Sequence, residues 1–187
     1  MGQVTSPSPV LLILAAFSRH DDGLRWAREK TETVWGRMAL ASDAFEFRET
    51  NYYDATMGVG LRKQFFAFEQ LVDPERLVEF KRQTNDWEVE YAAFARHHEP
   101  RPLNLDSGYI TLAKLVLAST KDHAHRIYLG RGIYAEITLK FQGAAWQSSD
   151  WTYPDYRRPD FQEFFSRCRE YLRSAARVQG SGFRVQD

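Results

Sequence analysis

The feature that most constrains the fold is an unbroken apolar run of eight residues, Val10 to Phe17. A strand with one wet face would alternate polar and apolar residues, so this run predicts a central strand that is covered on both faces. The run is shorter than the roughly 18 apolar residues that a membrane span needs. No basic segment precedes it, as one would in a signal peptide. We therefore expect a domain built around a buried strand, with no membrane partner.

Four helices are predicted from apolar residues that recur at helical spacing. Their starts lie near Asp22, with Asp21 or Asp22 as the N-cap, at Asp73-Pro74-Glu75, near Thr111 and near Asp160. The Asp-Pro-Glu start combines a capping carboxylate, a proline in the first turn and an acid at the positive end of the helix dipole. The helix near Thr111 is expected to be short and to end at Ala118.

Besides the central run, strands are predicted at 44–48, 61–68 and 102–106, and as a hairpin formed by 126–129 and 132–141. The glycines of the hairpin turn, Gly130-Arg131-Gly132, permit positive φ. The second hairpin strand alternates apolar residues, starting with Ile133, with polar residues that include Glu136. This alternation predicts one apolar face and one polar face.

Together these elements predict an α+β fold, an antiparallel or mixed sheet with helices packed on it, and a ferredoxin-like sandwich is the expected architecture. Residues 1–8 are expected to be a flexible leader, residues 9–173 a single α+β domain, and residues 174–187 a flexible tail. The lone cysteine, Cys168, excludes an internal disulfide and is typical of a reducing compartment, so a cytoplasmic location is expected.

The formal net charge is zero, but the charge is unevenly distributed. Residues 1–95 contain 11 Lys and Arg against 15 Asp and Glu, whereas residues 96–187 contain 14 against 10. A dedicated nucleic-acid binder is usually basic overall. The asymmetry is compatible with a small anionic ligand on the second half of the chain.

Several short motifs between Pro9 and Leu172 carry a resemblance to a known family: Tyr52-Tyr53, Met57-Gly58-Val59-Gly60-Leu61, Lys81 with Thr84-Asn85, Asn104-Leu105-Asp106, Gly108-Tyr109, Ala118-Ser119-Thr120-Lys121-Asp122, His125-Arg126-Ile127-Tyr128-Leu129-Gly130, Gly132-Ile133-Tyr134-Ala135-Glu136 and Thr152-Tyr153-Pro154-Asp155-Tyr156. Together they resemble the uncharacterised bacterial domain-of-unknown-function family 4416. The resemblance implies a fold and a set of marked positions, and it brings no known activity. Ser107 departs from the family's Asp-Pro-Gly-Tyr string, and His123 stands where the family tolerates other residues.

Some members of that family are labelled GTP-binding, which makes a phosphate-binding loop the motif to compare with this sequence. A P-loop needs Gly-x-x-x-x-Gly-Lys-Ser/Thr, because backbone amides, a lysine and a hydroxyl together hold the phosphates and magnesium. The glycines before Lys63 have the wrong spacing and no hydroxyl follows the lysine. Thr120-Lys121-Asp122 lacks the residue that separates lysine from aspartate in a guanine-selecting Thr-Lys-x-Asp loop. No P-loop GTPase is expected.

The densest group of chemically capable side chains lies between Asp106 and Glu136. Histidine titrates near neutrality, so His125 is the predicted general acid or base, with Asp106 or Asp122 as its proton-handling partner. Cationic, hydroxyl, amide and carboxylate groups are predicted to bind the ligand, on Lys121, Arg126, Lys114, Thr120, Arg131, Glu136, Lys81 and Asn85. This pattern predicts a pocket for a small anionic or phosphate-bearing ligand, with nucleotides among the options, that could serve an enzyme.

The same residues have a plainer interpretation. Asp122 could hold backbone amides in a turn, and Arg126 could pair with Glu136 across the hairpin. Lys81 and Asn85 could belong to a solvated helix edge. A metal site at Asp106, Asp122, His123, His125 and Glu136 is not predicted, because no third ligand has diagnostic spacing beside the two histidines. His97 and His98 are expected to be solvated, and no cofactor can be named.

A second hypothesis makes the protein a non-catalytic module for RNA or a protein partner. Many tyrosines lie beside arginines and lysines, a mixture that can stack on and grip single-stranded RNA. This hypothesis predicts a flat basic and aromatic face, binding that weakens with salt, and no enclosed pocket.

Overall fold

The computed structural model describes residues 2–178, which form an α+β fold of four helices and nine strands. In chain order the elements are β1 (Val10–Ser18), α1 (Asp21–Trp35), β2 (Met38–Ala41), β3 (Phe45–Glu46), α2 (Asp54–Met57), β4 (Arg62–Val72), α3 (Leu77–Phe94), β5 (Asn104–Ile110), β6 (Lys114–Ser119), β7 (Ile127–Gly130), β8 (Ile133–Gln142), β9 (Ala145–Ser148) and α4 (Pro159–Val178). Short 3₁₀ turns at Pro74–Arg76 and Pro154–Arg157 precede α3 and α4.

All nine strands belong to one sheet, and every pairing between them is antiparallel. The strand order is β2-β4-β1-β5-β6-β8-β7, with β3 beside β4 and β9 beside β8. The α+β prediction is confirmed, and of its two sheet types the antiparallel one is present.

The apolar run at the start of the chain forms the central strand that the sequence predicts. All nine residues of β1 are buried, and the strand pairs with β4 on one side and β5 on the other. Leu11 and Ile13 pack with α4, whereas Leu12 and Leu14 pack with α1 and α3 on the opposite face. Strand β1 therefore belongs to two cores, one on each face of the sheet. Burial of each such side chain contributes about 1.5–3 kcal/mol to the free energy of folding.

The ferredoxin-like architecture is not shown by this topology. The first half of the chain follows the β-α-β-β-α-β element order of that motif. However, the sheet continues through β6, β8 and β7, and α4 covers the face opposite to α1 and α3. A larger sheet with helices on both faces is the observed arrangement.

The predicted short helix near Thr111 to Ala118 is wrong, because these residues form β6 and the turn before it. Leu115 and Leu117 pack in the core below α4, while Val116 and Ala118 pack in a separate cluster with Leu77 of α3. Alternate residues therefore point to opposite faces, which only an extended chain allows. Because both faces are buried, residues 115–118 are all apolar and carry no period-2 signal.

The predicted faces of β8 are also wrong in the middle of the strand. Glu136 and Thr138 are buried, whereas Ile137 is 39% exposed. The register between β6 and β8 shifts by one residue, with Leu115 opposite Leu139 and Val116 opposite Ile137. This bulge brings Glu136 and Leu139, three residues apart, to the same side of the sheet. A carboxylate thereby enters the interior.

The helix starts predicted at Asp73 and near Asp160 agree with the structure, whereas the N-cap of α1 and the C-terminal end of α4 differ from the prediction. Asp73 caps the turn before α3, since its carboxylate accepts a hydrogen bond from the Glu75 amide at 2.9 Å. The N-cap of α1 is His20, not Asp21 or Asp22, which lie in the first turn. The last helix begins beside Asp160 but extends to Val178, five residues into the predicted tail that starts at 174. Residues 2–9 contain no helix or strand, and 179–187 lie outside the described residues.

No helix within residues 2–178 is long and apolar enough to cross a membrane.

Strands β2 and β9 were not expected from the sequence, and both lie at positions where a short strand joins the edge of a longer one. Cys168 is free and buried below the sheet, and its burial raises the pKa of the thiol.

Candidate functional site

The sheet opens between β5 and β6. These two strands pair over only three positions, from Gly108 opposite Leu117 to Ile110 opposite Leu115. Beyond Gly108 the strand β5 continues to Asn104 along β1, while β6 continues to Ser119 along β8. The two strands therefore separate, and their facing edges have no backbone partner in each other.

Side chains from α3 take the place of the missing strand partner. The Lys81 ammonium donates to the Leu105 carbonyl oxygen at 2.8 Å, and the Leu105 amide donates to a Glu88 carboxylate oxygen at 2.8 Å. Lys81 also reaches the Asp106 carboxylate at 3.0 Å, with its own side chain only 5% exposed. Buried backbone groups must find partners, and at Leu105 these charged residues supply them.

A cavity of about 700 Å³ occupies the opening. Its walls come from both sides of the split, from the loop before α2, from α3 and from the turn before α4. The lining residues are Phe17, Phe47, Glu49, Thr50, Tyr52, Tyr53, Lys63, Lys81, Asn85, Arg101, Asn104, Asp106, Leu117, Ala118, Ser119, Thr120, Lys121, His123, Arg126, Glu136, Tyr153, Pro154, Asp155 and Tyr156. Its volume lies in the usual range of small-molecule sites, roughly 300–1,000 Å³.

Charged groups line this cavity densely. Five are cationic and four are acidic: Lys63, Lys81, Arg101, Lys121 and Arg126 against Glu49, Asp106, Glu136 and Asp155. Burial raises the pKa of Asp106, but the charges of Lys81 and Lys63 and hydrogen bonds from Lys81 and Asn104 outweigh it, so this pKa lies below its usual value. Asp106 is therefore a carboxylate at neutral pH and could accept a proton or a hydrogen bond.

Lys63 is the most deeply buried cation of the site. Its side chain is 2% exposed and pairs with the Asp155 carboxylate, itself 4% exposed. Burial lowers the pKa of the ammonium, and Asp155 opposes that shift. The ammonium also faces the rings of Phe17 at 3.7 Å and Tyr156 at 4.5 Å. Removing either partner of such a pair would leave a buried, uncompensated charge.

Arg126 organises the wall formed by β6 and β8. Its Nε donates to Glu136 at 2.8 Å, one terminal nitrogen donates to Ser119 Oγ at 2.7 Å and to the Lys121 carbonyl at 3.0 Å, and the other donates to the Tyr153 hydroxyl at 2.7 Å. Four of the five guanidinium N–H groups are thus occupied by the protein. The plainer interpretation of the sequence, in which Arg126 pairs with Glu136, is present in the structure.

Four tyrosines belong to the cavity lining: Tyr52, whose hydroxyl accepts a hydrogen bond from Lys121, and Tyr53, Tyr153 and Tyr156. Burial, followed by neighbouring charges that include Asp106, raises the pKa of Tyr53 and of Tyr156. Burial also raises the pKa of Tyr153, against the opposing effect of Arg126. All three hydroxyls stay protonated and can donate. The Tyr156 hydroxyl is buried and has no hydrogen-bond partner within residues 2–178.

The structure brings seven of the eleven predicted site residues to this cavity: Asp106, Lys81, Asn85, Thr120, Lys121, Arg126 and Glu136. The other four lie outside its lining. His125 sits behind Glu136, to which its Nε2 lies 3.1 Å, and stacks on Trp151. Asp122 is exposed, Arg131 is exposed in the hairpin turn, and Lys114 lies opposite Lys140 of β8 at the far end of β6. His125, Asp106 and Asp122 therefore do not share one surface.

Sequence reasoning missed Lys63, Arg101, Tyr53, Asp155 and Tyr156. For Lys63 the sequence contained a signal, because Lys63 shares the inward face of a strand with Leu61 and Phe65, which are both buried. A charged residue at such a position is unusual. Arg101 pairs with Glu88 at 2.8 Å, a contact that joins α3 to the chain before β5. The motif Thr152-Tyr153-Pro154-Asp155-Tyr156 was noticed as a family resemblance, but its residues were not assigned to the site.

Histidines do not form a metal centre in this cavity, where His123 is the one histidine of the lining. Within the described residues, the group of side chains with the spacing of a metal site is His20, Asp22 and His97. The expectation that His97 is solvated is wrong, since its side chain is 17% exposed and its Nε2 lies 3.1 Å from Asp22.

Comparison with protein families gives one match. The model of the family DUF4416, described as a domain of unknown function, matches residues 8–171, and the chain belongs to this family. Searches of curated proteins and of solved structures each found no match.

Proposed function

We propose that this DUF4416 protein binds a small ligand with a phosphate or carboxylate group in the cavity between β5 and β6. The observation that carries the proposal is the convergence of five cationic side chains and four tyrosines on the lining of one cavity. The raised pKa values of Tyr53, Tyr153 and Tyr156 keep their hydroxyls protonated. Charged and phenolic donors together are suited to an oxyanion. One of the four lining acids, Glu49, is paired at 2.8 Å with Arg158, which is not part of the lining.

Lys121 is the cation most available to a ligand. Its ammonium donates to the Tyr52 hydroxyl at 2.8 Å and lies 4.7 Å from the Tyr52 ring centre. The residue is exposed, and within residues 2–178 no carboxylate lies within 4.0 Å of it. Lys63, Lys81, Arg101 and Arg126 each pair with an acid. A ligand anion would therefore gain most from Lys121 and from the phenols.

Arg126 is assigned a positioning role in this proposal. Its occupied N–H groups hold Glu136, Ser119 and Tyr153 in the wall. Asp106 and Glu136 supply acceptors, so the same ligand should also carry donor groups such as hydroxyls or amines. Phe17, Phe47 and Tyr53 add aromatic surface to the lining. A ligand of mononucleotide size, with an anionic end and a ring, fits this combination.

A thermal-shift panel of inorganic phosphate, pyrophosphate, mononucleotides and small carboxylates tests the proposal. A ligand present at about 100 times its Kd should stabilise the protein by about 2.7 kcal/mol, which corresponds to roughly 5–10 °C in Tm. Lys121→Gln should weaken that shift. Arg131→Gln is the matched control, because it removes an exposed cation of the same predicted set that lies outside the cavity.

The outcomes separate the proposal from general charge effects. An equal loss in Lys121→Gln and Arg131→Gln would mean that anions act on the surface at large. A panel without any shift would remove the proposal. A selective loss in Lys121→Gln supports it.

The alternative, a module for RNA or a protein partner, stays a prediction. The surface that fits it is the edge strand β7, where Ile127 is 71%, Tyr128 58% and Leu129 43% exposed. Such a module would leave the anion panel without effect, while Leu129→Lys would weaken association with the partner.

A further inference from the structure

A second polar cluster lies at the start of α1, formed by residues that are distant in the chain. His20 is the N-cap of α1, Asp22 lies in the first turn, and His97 belongs to the segment that follows α3. Tyr91 of α3 and Glu99 contact the same group. None of these residues lines the cavity.

The ligand-type atoms of the cluster are close together. One atom from each of His20, Asp22 and His97 lies within 4.8 Å of the others. The His97 Nε2 lies 3.1 Å from Asp22 Oδ2, and the His20 Nε2 lies 3.1 Å from Glu99 Oε2. The two imidazole rings stack with centres 3.6 Å apart and planes inclined by 9°.

These spacings suit a shared cation. Ligand atoms bonded tetrahedrally to zinc at about 2.0–2.1 Å lie roughly 3.3 Å from one another. The 3.1 Å separation between His97 and Asp22 is close to that value. The wider distances, up to 4.8 Å, would have to contract when an ion binds.

Three polar atoms of the cluster are in mutual contact but have only two protons to share, so one of the three contacts cannot be a hydrogen bond. Tyr91 OH, His97 Nε2 and Asp22 Oδ2 form a triangle with three sides of 3.1 Å. If both the phenol and the imidazole donate to the carboxylate, the contact between phenol and imidazole has no proton in it. If the phenol donates to the imidazole, the contact between imidazole and carboxylate has none. A cation held by the imidazole and the carboxylate removes this conflict and leaves the phenol as a donor to Asp22.

The local charge is also compatible with a cation. Asp22 and Glu99 contribute two negative charges, and Arg19, 2.9 Å from Glu99, contributes one positive charge. The start of α1 adds a partial positive charge, which the two carboxylates outweigh. Side-chain exposures of 24% for His20 and 17% for His97 leave the cluster accessible to an ion.

We propose that His20, Asp22 and His97 form a binding site for a divalent transition metal of the zinc class. Two imidazoles and a carboxylate are a ligand set that such ions favour. Glu99 can supply a fourth ligand, and Tyr91 supports Asp22 from the second layer. The metal would join the start of α1 to the segment that carries Arg101 and Asn104 toward the cavity.

The test uses the full chain, stripped with a chelator and then titrated with Zn²⁺ against a chromogenic competitor. We expect one Zn²⁺ per chain, a metal-dependent rise in Tm, and visible absorption bands of a four-coordinate ion when Co²⁺ replaces Zn²⁺. His97→Asn should weaken binding by roughly 100-fold or more, and Tyr91→Phe by about 10-fold.

His98→Asn and His123→Asn are the controls, because they remove exposed histidines outside the cluster. If His97→Asn folds poorly, Asp22→Asn provides the same test at a side chain that is 52% exposed. Absence of stoichiometric Zn²⁺ binding by the unmodified chain would overturn the proposal. Equal loss of binding in the control variants would do the same.

Discussion

The two ends of the boundary between β5 and β6 solve the same problem in different ways. At one end Gly108 to Ile110 pair with Leu115 to Leu117, and backbone groups satisfy backbone groups. At the other end the strands separate, and Lys81 and Glu88 satisfy the exposed edge at Leu105. One end is dry and apolar, whereas the other holds the charged cavity.

The difference between the paired and the separated end indicates where the sheet has room for a binding site. A closed ladder needs no side-chain chemistry and leaves no space. In this opened ladder the charged side chains of Lys81 and Glu88 complete the hydrogen bonds of Leu105, and Lys81 also lines the space between the strands. The cavity and its charged wall thus have one physical origin.

The largest expected effect comes from the buried pair at the open end. Asp155→Leu would leave the Lys63 ammonium buried without its counter-charge, so we expect a loss of about 3–5 kcal/mol in the free energy of unfolding. The double variant Lys63→Met with Asp155→Leu should recover most of that loss, because neither charge of the pair remains buried. Urea denaturation of the single and double variants measures both values. Equal stability of the two would show that the ion pair does not couple these residues.

The closed end should respond to steric change alone. A Cβ at Gly108 would clash with the Val116 carbonyl oxygen and lie 2.7 Å from Leu117. Gly108→Ala should therefore destabilise by about 1–3 kcal/mol. Gly36→Ala is the control, since Gly36 has φ 93° and ψ −173° and no neighbouring atom within 4 Å. Its cost is therefore conformational alone, about 1–3 kcal/mol. A harmless Gly108→Ala would argue against close pairing at this end.

The smallest effect is the share of the pH dependence that Asp106 contributes at the open end. The pKa of Asp106 lies below its ordinary value of 3.8 in the folded protein. The stability it contributes is therefore complete above pH 3.8 and is lost as the pH falls through the lower folded pKa. Asp106→Asn should flatten the acid limb of the curve of Tm against pH. Unchanged steepness in this variant would exclude Asp106 as a contributor.

The sequence contains enough information for the fold class because its strongest signal is physical and local. The run from Val10 to Phe17 has to be covered on both faces. The start of α3 is marked in the sequence by the capping residue Asp73. The β6 segment was mistaken for a helix because burial on both faces removes the alternation that distinguishes a strand. A bulge such as that in β8 changes which face a residue occupies, and no local pattern reports it.

The candidate site was predictable where motif residues cluster in the chain and unpredictable where they meet only in space. Lys121, Arg126 and Glu136 are neighbours in sequence and share the cavity wall. Lys63 and Asp155 are 92 residues apart, and only the fold brings them together. Lys114 fell outside the site because β6 is extended, which carries its two ends apart.

The most direct test of a ligand site in the opened sheet is an NMR titration of the amide-labelled protein with pyrophosphate and with AMP. If the ligand binds between β5 and β6, we expect saturable shifts of the amide resonances on both sides of the split, in residues 104–107 and 118–126. The resonances of Ile110 and Leu115 at the closed end should be unaffected. Shifts confined to the hairpin turn at 130–132, or none with either ligand, would contradict it.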